Sequence, residues 1–302
     1  MVTQGGISPG PQAHWQKQVL HVPDGALGRQ CFAMSPLLNT PPWPYPFWIA
    51  HRGAGTLAPE NTLAAFERGA SLGFAMFECD VQLSADGVPF LLHDLDLSRT
   101  TNGQGLAADQ TWARLQALDA GGWHGIEHQG LGLMPLDQLA HWGMPRGLAF
   151  NLEIKPAPGR ESACGAAVAR AASNLWVGGA CPPLLSSFSA EALLAAQEAA
   201  PDLPRAWLLD AASPLDWQCA HGLGCVAVVL HHSRCSESVI AQAHHQGLRA
   251  LAYTVNDANR AEQLQTWGID GIITDAVQAF RPAMSASGTT GSWHRPAPWP
   301  RS

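Results

Sequence analysis

The sequence predicts an α/β fold: a TIM-type (β/α)8 barrel with a small insertion after the second strand and its hairpin. Three observations carry this expectation. Short apolar runs alternate with longer segments of helical period along most of the chain. Eight such units are counted once one hairpin arm is set aside, and eight is the number that closes a barrel. Several runs end in charged residues, which a barrel gathers at the one mouth formed by the C-terminal ends of its strands. A doubly wound open sheet is the main alternative. It usually carries a glycine-rich phosphate turn after its first strand, and the run His51 to Gly55 lacks that spacing.

Residues 1–44 are rich in Gly and Pro, and Asn39 to Pro46 favours extended backbone, so a disordered N-terminal extension is expected. Met34 is marked as an alternative start, because the sequence becomes ordinary after it. The barrel domain is expected over 45–282. Its first strand, Phe47 to Ala50, stops abruptly at His51-Arg52-Gly53, and helical spacing of Leu63, Phe66 and Ala70 begins only after Pro59. Gly73 closes that helix before an acidic strand, Phe77 to Leu83. Ser84 to Gly87 turns the chain, since Asp-Gly supplies the positive φ of a tight hairpin, and Val88 to Asp94 forms the return arm.

From 95 to 147 the alternation breaks, and this stretch is expected to be the inserted cap. Trp112, Leu115 and Leu118 have helical spacing, and Trp112, Trp123 and Trp142 are expected to pack the insertion onto the body, the alternative being that they line a ligand cleft. Alternation resumes with a strand over 148–155 and a helix over 161–175. Then come a strand (183–188), a helix (190–200) and two strands (205–209, 225–230). The last elements are a helix (236–246), a strand (248–255), a helix (257–267), a strand (271–274) and a short helix to about Phe280. The tail 283–302, rich in Ser, Gly and Pro, is expected to be disordered.

Composition narrows the function classes. A chain of 302 residues that is 46% hydrophobic and 14% charged can bury a large core. Its net charge of -7 comes with no basic cluster, which gives nucleic-acid binding little electrostatic support and points to small-molecule partners. Seven cysteines without a Cys-x-x-Cys pair read as reduced thiols in a cytoplasmic setting. Residues 1–33 lack the charged start and apolar core of a signal peptide, and no run reaches membrane-spanning length, so no membrane anchor is expected.

Side-chain alternation then locates a candidate site. Residues two apart in a strand share a face, so Phe47, Ile49 and His51 point one way, as do Glu78 and Asp80. Asn151, Glu153 and Lys155 repeat the arrangement, and the hairpin arm ends in His93 and Asp94. Charges at the ends of apolar strands are costly unless they are paired or bind something. Three carboxylates at one mouth repel each other, and a hard divalent cation, Mg²⁺ or Ca²⁺, relieves the repulsion with oxygen ligands. Two histidines beside such an ion supply a general base and a general acid.

These residues resemble the glycerophosphodiester phosphodiesterase family, in its cytoplasmic bacterial form. The resemblance rests on His51-Arg52-Gly53, Pro59 to Thr62, Glu78 to Val81, His93-Asp94, Thr100 to Gly103, Glu153 to Lys155 and Thr254 to Asp257, an ordered set running from about Trp48 to Phe280. It implies a β/α barrel, dependence on a divalent cation, and hydrolysis of glycerophosphodiesters to sn-glycerol 3-phosphate and an alcohol. By the same resemblance Glu78, Asp80 and Glu153 are metal ligands, and His51 and His93 are the acid/base pair, with His93 favoured as the acid. Arg52 and Lys155 match the family's phosphate-contacting residues. Tyr253 stands where family members often have Trp, and is a candidate substrate wall.

Other readings compete. A barrel lyase or isomerase would use the same metal with a lysine base, and a non-catalytic binder would hold a phospholipid headgroup. The presence of both His51 and His93 argues against the binder, and Lys155 beside Glu153 argues against a Schiff base. Glu60 and Asn61 are expected to play supporting parts at most. The remaining histidines, among them His124, His128 and His244, lack acidic partners at strand-end spacing and are expected in solvated or packing roles.

Overall fold

The computed structural model describes residues 43–210 and 213–282. Most of the expected extension, Met34 included, and the tail 283–302 lie outside the described residues. Strand β1 (Trp48–Ala50) pairs in parallel with β2 (Met76–Leu83) on one side and β9 (Gly271–Thr274) on the other. Strands β4 (Ala149–Ile154), β5 (Leu184–Ser187), β6 (Arg205–Leu209), β7 (Cys225–His231) and β8 (Arg249–Tyr253) complete the ring in sequence order. Eight parallel strands therefore close a barrel, as expected. The hairpin arm β3 (Pro89–Leu91) pairs antiparallel with β2 and stands outside the ring.

Burial follows strand alternation. Ile49, Met76, Leu184, Leu208, Val229 and Ile273 belong to one cluster, the packed lower layers of the barrel interior. Tyr45 packs with it, its hydroxyl donating to the Pro182 carbonyl at 3.0 Å. The opposite strand faces meet the helices. Phe66 of α1 (Leu63–Ser71) packs edge-on against Phe77 and Phe150, with ring centroids 5.7 and 6.4 Å apart. Side-chain oxygens of Thr62, Ser189, Ser236 and Asp257 accept from backbone N–H groups at the starts of α1, α5 (Ala190–Ala199), α7 (Glu237–His245) and α8 (Ala258–Thr266). These caps fix where each helix leaves its loop. The long α4 (Glu161–Leu175) lies close on α5, because at Gly165 a Cβ would come within 2.1 Å of the Ala192 carbonyl oxygen.

Three elements differ from expectation. Helix α6 (Pro214–Gly222) occupies a stretch where the sequence suggested no element, since its apolar residues do not form one stripe. Its start was nonetheless written in Ser213-Pro214 with Asp216 three residues on, and the Ser213 N–H donates to the Asp216 carboxylate at 2.8 Å. The expected short helix before Phe280 is a turn over 277–279. Within 95–147, α3 (Leu136–Gly143) is a helix of the barrel layer: Leu136, Leu139 and Ala140 join the core around Phe66, Phe77 and Phe150. What stands off the barrel is the preceding segment, with the short α2 (Trp112–Leu115) and a small core of Phe90, Leu92, Leu97, Leu115 and Leu133. Trp112 and Trp142 pack as expected, against Phe90 and against Phe66 and Phe77. Trp123 does not, and stays 43% exposed.

Among the described residues no helix is long and apolar enough to cross a membrane. Cys79, Cys164, Cys181, Cys219, Cys225 and Cys235 are free thiols.

Candidate active site

Strands β2 and β4 run side by side with Glu78 opposite Asn151 and Asp80 opposite Glu153, so alternation turns all four into the barrel. One oxygen from each of Glu78, Asp80 and Glu153 lies within 4.8 Å of the other two. The three side chains are buried, and Glu78 Oε1 and Asp80 Oδ1 are enclosed without a hydrogen-bond partner. Burial, then repulsion from Asp80 and Glu153, pushes the Glu78 carboxyl well above the usual carboxylate range. Burial acts on Asp80 in the same direction, but Arg52, Lys155, His93 and a hydrogen bond from Asn61 outweigh it and hold Asp80 low. An all-oxygen cluster in which Glu78 Oε1 is buried without a partner, and Asp80 Oδ1 has only a long 3.4 Å contact to the Lys155 ammonium, fits a hard divalent cation such as Mg²⁺ or Ca²⁺.

Two cations border the cluster. Lys155 Nζ lies 2.8 Å from Glu153 Oε1 and 3.4 Å from Asp80 Oδ1. Burial alone would lower its pKa, but these carboxylates raise it above the ordinary lysine value, so the ammonium stays charged. Arg52 Nε lies 3.3 Å from Asp80 Oδ2, and its Nη1 donates to Glu60 Oε1 at 2.9 Å.

Each histidine is held by a carboxylate on its Nδ1. His51 Nδ1 is 2.6 Å from Asp275 Oδ1, and its Nε2 is 3.6 Å from Glu78 Oε2. His93 Nδ1 is 2.6 Å from Asp94 Oδ1. A carboxylate that accepts from Nδ1–H leaves Nε2 as the free nitrogen, turned to act as base or, once protonated, as acid. The carboxylates are anchored in turn. Asp275 accepts from Asn256 Nδ2 at 3.2 Å, and the Asp275 N–H donates to Asn256 Oδ1 at 2.9 Å. Asp94 pairs with Arg99, whose Nη1 and Nη2 donate to Glu60 at 2.9 and 2.7 Å. Glu60 therefore bridges Arg52 and Arg99, joining the two sides of the mouth.

The loop after β1 is bent to make these contacts. Arg52 (φ 49°), Gly53 (φ 100°) and Asn61 (φ 59°) all have left-handed backbone, rare for the two non-glycine residues. The bend aims the Asn61 amide at Asp80, to which it donates at 2.8 Å while its Oδ1 accepts the Asp80 N–H at 3.2 Å. Gly55 (φ 56°) lies against the backbone carrying Asp275, and a Cβ there would approach the Asp275 carbonyl oxygen to 2.1 Å. Gly55→Ala is therefore expected to destabilise the protein by about 1–3 kcal/mol, read as a lower urea midpoint at unchanged m-value.

The seven strand-end residues picked from sequence, His51, Arg52, Glu78, Asp80, His93, Glu153 and Lys155, are linked by these contacts into one site. Tyr253 lies at the end of β8, edge-on to Phe188 and His231 at 6.0 and 5.5 Å, with its hydroxyl 3.4 Å from Asp210 Oδ1. Asp275 and Arg99 join the site without having been singled out in the sequence, whereas Glu60 and Asn61 take the supporting parts expected of them, holding Arg52 and Arg99 and Asp80 respectively. Asp275 directly follows the strand-end Thr274, so the rule that found Asp80 and Glu153 applied to it as well. Two histidines set aside in sequence have acidic neighbours: His244 Nε2 lies 2.7 Å from Asp270, and His128 Nε2 lies 3.9 Å from Glu127.

The family model described as the glycerophosphoryl diester phosphodiesterase family matches residues 51–279. YhdW of Bacillus subtilis is 33% identical over 232 residues, covering 75% of this chain and 93% of its own. A glycerophosphodiester phosphodiesterase of Caldanaerobacter subterraneus subsp. tengcongensis is 30% identical over 231 residues, with the same coverage. Among solved structures, an Oleispira antarctica phosphodiesterase in complex with the product sn-glycerol-3-phosphate superposes with a TM-score of 0.73 at 34% identity, covering 78% of this chain and 94% of that one.

Proposed function

The chain belongs to the glycerophosphoryl diester phosphodiesterase family and hydrolyses glycerophosphodiesters; from that premise we propose that it releases sn-glycerol 3-phosphate and an alcohol using the residues gathered at the barrel mouth. The observation that carries this reading is the convergence of Glu78, Asp80 and Glu153 beside two histidines, each fixed through Nδ1 by its own aspartate. The product held by the Oleispira antarctica relative supports the assignment of sn-glycerol 3-phosphate.

Glu78, Asp80 and Glu153 would hold the divalent cation, Mg²⁺ or Ca²⁺. When bound, such an ion acts as a Lewis acid that neutralises charge on the non-bridging phosphate oxygens. Arg52 and Lys155 border the same carboxylates and remain cationic, so they bind those oxygens and stabilise the charge that grows on them during phosphoryl transfer. His51, set against Glu78, takes a proton at Nε2 from the attacking water, or from the glycerol hydroxyl, in which case the cyclic phosphate left when the alcohol departs is opened by water in a second step to sn-glycerol 3-phosphate. His93 is on the more exposed side, 31% accessible against 16% for His51, and delivers a proton from Nε2 to the departing alkoxide. Tyr253, with Phe188 and His231, forms an aromatic wall for the alcohol. Free thiols support a reducing, cytoplasmic setting.

The aspartates behind the histidines act on orientation. Asp275→Asn offers His51 an amide in place of a carboxylate, so the ring no longer holds its proton on Nδ1. The expected result is a fall in kcat of about 10²–10⁴-fold with metal affinity unchanged, measured by steady-state kinetics beside metal titration.

The bond that breaks is tested by ³¹P NMR of glycerophosphocholine during turnover. Growth of the sn-glycerol 3-phosphate resonance at the expense of the diester is expected. Accumulation of phosphocholine would place cleavage on the glycerol side and overturn the proposal.

A further inference from the structure

We propose a second metal site on the segment outside the barrel, in which His124, Glu127 and His128 bind a zinc-type ion and fasten this segment to the loop after β1. A ring nitrogen from each histidine and a carboxylate oxygen of Glu127 lie within 4.8 Å of one another. The two imidazoles stand edge-on with centroids 5.1 Å apart, and His128 Nε2 lies 3.9 Å from Glu127 Oε1.

The tautomer of His124 favours a metal. Its Nε2 lies 3.1 Å from the Thr56 carbonyl oxygen. A carbonyl only accepts, so Nε2 carries the proton and in the neutral ring Nδ1 presents a bare lone pair. That Nδ1 is enclosed and has no hydrogen-bond partner. An imidazole that donates one nitrogen to a carbonyl and keeps the other unpaired is arranged as metal-binding histidines are.

The loop carrying these groups is already held in shape. Asp119 accepts from the N–H groups of Gly121, Gly122 and Gly130 at 2.8, 2.8 and 3.0 Å. Gly121 lies so close to the His128 backbone that a Cβ would come within 2.0 Å of its carbonyl oxygen. Little backbone order remains to be fixed on binding. Lying within 4.8 Å of one another, the three groups need at most small side-chain shifts to reach the roughly 3.3 Å ligand spacing of a tetrahedral zinc. Glu127, 67% exposed, has room to turn its carboxylate toward the two rings.

Two imidazoles and one carboxylate select a borderline ion such as Zn²⁺, with water in the fourth position, whereas the all-oxygen cluster at the barrel mouth selects a hard one. Thr56 lies four residues beyond Arg52, so the ion would tie the outer segment to the loop bearing His51 and Arg52.

The test uses the full-length protein, stripped with chelator and returned to excess Mg²⁺ so that the oxygen cluster is served by the hard ion. Co²⁺ is the probe, because its visible bands report coordination without reference to activity. One equivalent of Co²⁺ with tetrahedral-type bands, displaced by Zn²⁺, is expected. His128→Ala and the exposed-site variant Glu127→Gln should each weaken it at least about a hundredfold, while Glu78→Gln retains it. Failure to retain Co²⁺ in excess Mg²⁺ overturns the proposal. So does retention undiminished in both His128→Ala and Glu127→Gln, or loss in Glu78→Gln with an unchanged circular dichroism spectrum.

Discussion

Glu78→Gln is expected to lower kcat/KM by about a thousandfold or more, because charge neutralisation at the phosphate oxygens is worth several kcal/mol and each 1.36 kcal/mol is tenfold in rate. The substitution keeps the shape of the side chain and removes only its charge. Its effect on stability runs the other way. In the metal-free protein Glu78 is buried beside Asp80 and Glu153, which raises its folded-state pKa above the unfolded value of about 4.3. The folded state therefore favours the protonated acid. The contribution is fully present below about pH 4.3 and is lost as pH rises through the raised folded value. Metal-free wild type should thus lose stability toward neutral pH, and Glu78→Gln should lose less. Thermal melts of both proteins across that range, with and without metal, measure the difference. Added metal should stabilise the wild type strongly and the variant little.

His93→Ala is expected to separate two classes of substrate. A choline or ethanolamine diester expels a basic alkoxide that must be protonated as it leaves, so loss of the acid should cost about 10²–10⁴-fold in kcat. A nitrophenyl diester expels a stable anion, and there the same variant should lose much less. Comparing the two kcat ratios is the measurement. An equal loss on both would assign His93 another role, and the acid would then be sought at His51. Arg99 offers a companion substitution, since it touches Asp94 and Glu60 and acts through them.

Much of this site was legible in the sequence because strand alternation is a strict rule. Once Phe77 to Leu83 and Leu148 to Lys155 are strands, Glu78, Asp80, Glu153 and Lys155 must share the inner face. The barrel followed from counting strands, and helix α4 was bounded as observed by its alanine-rich run. What was not legible depends on loops, whose direction no periodicity fixes. Glu60 was expected in a supporting part without named partners, and a left-handed turn at Asn61 accompanies its position between Arg52 and Arg99. The strand-end rule covers Asp275 itself, but its pairing with His51 follows only once β9 closes the ring against β1. Helix α6 escaped because its apolar residues are not segregated, although its capping pair was visible. His124 and His128 come together through a glycine-rich loop pinned by Asp119, which sequence spacing alone would not place.

The central claim is that the acidic cluster binds the cation on which hydrolysis depends. It is tested most directly by following sn-glycerol 3-phosphate release from glycerophosphocholine by wild-type protein, after exhaustive chelation and again after Mg²⁺ or Ca²⁺ is restored. Release that stops on chelation and returns with either ion is the predicted result. Undiminished release from protein verified to be metal-free would contradict it, and would leave Glu78, Asp80 and Glu153 without the role assigned to them.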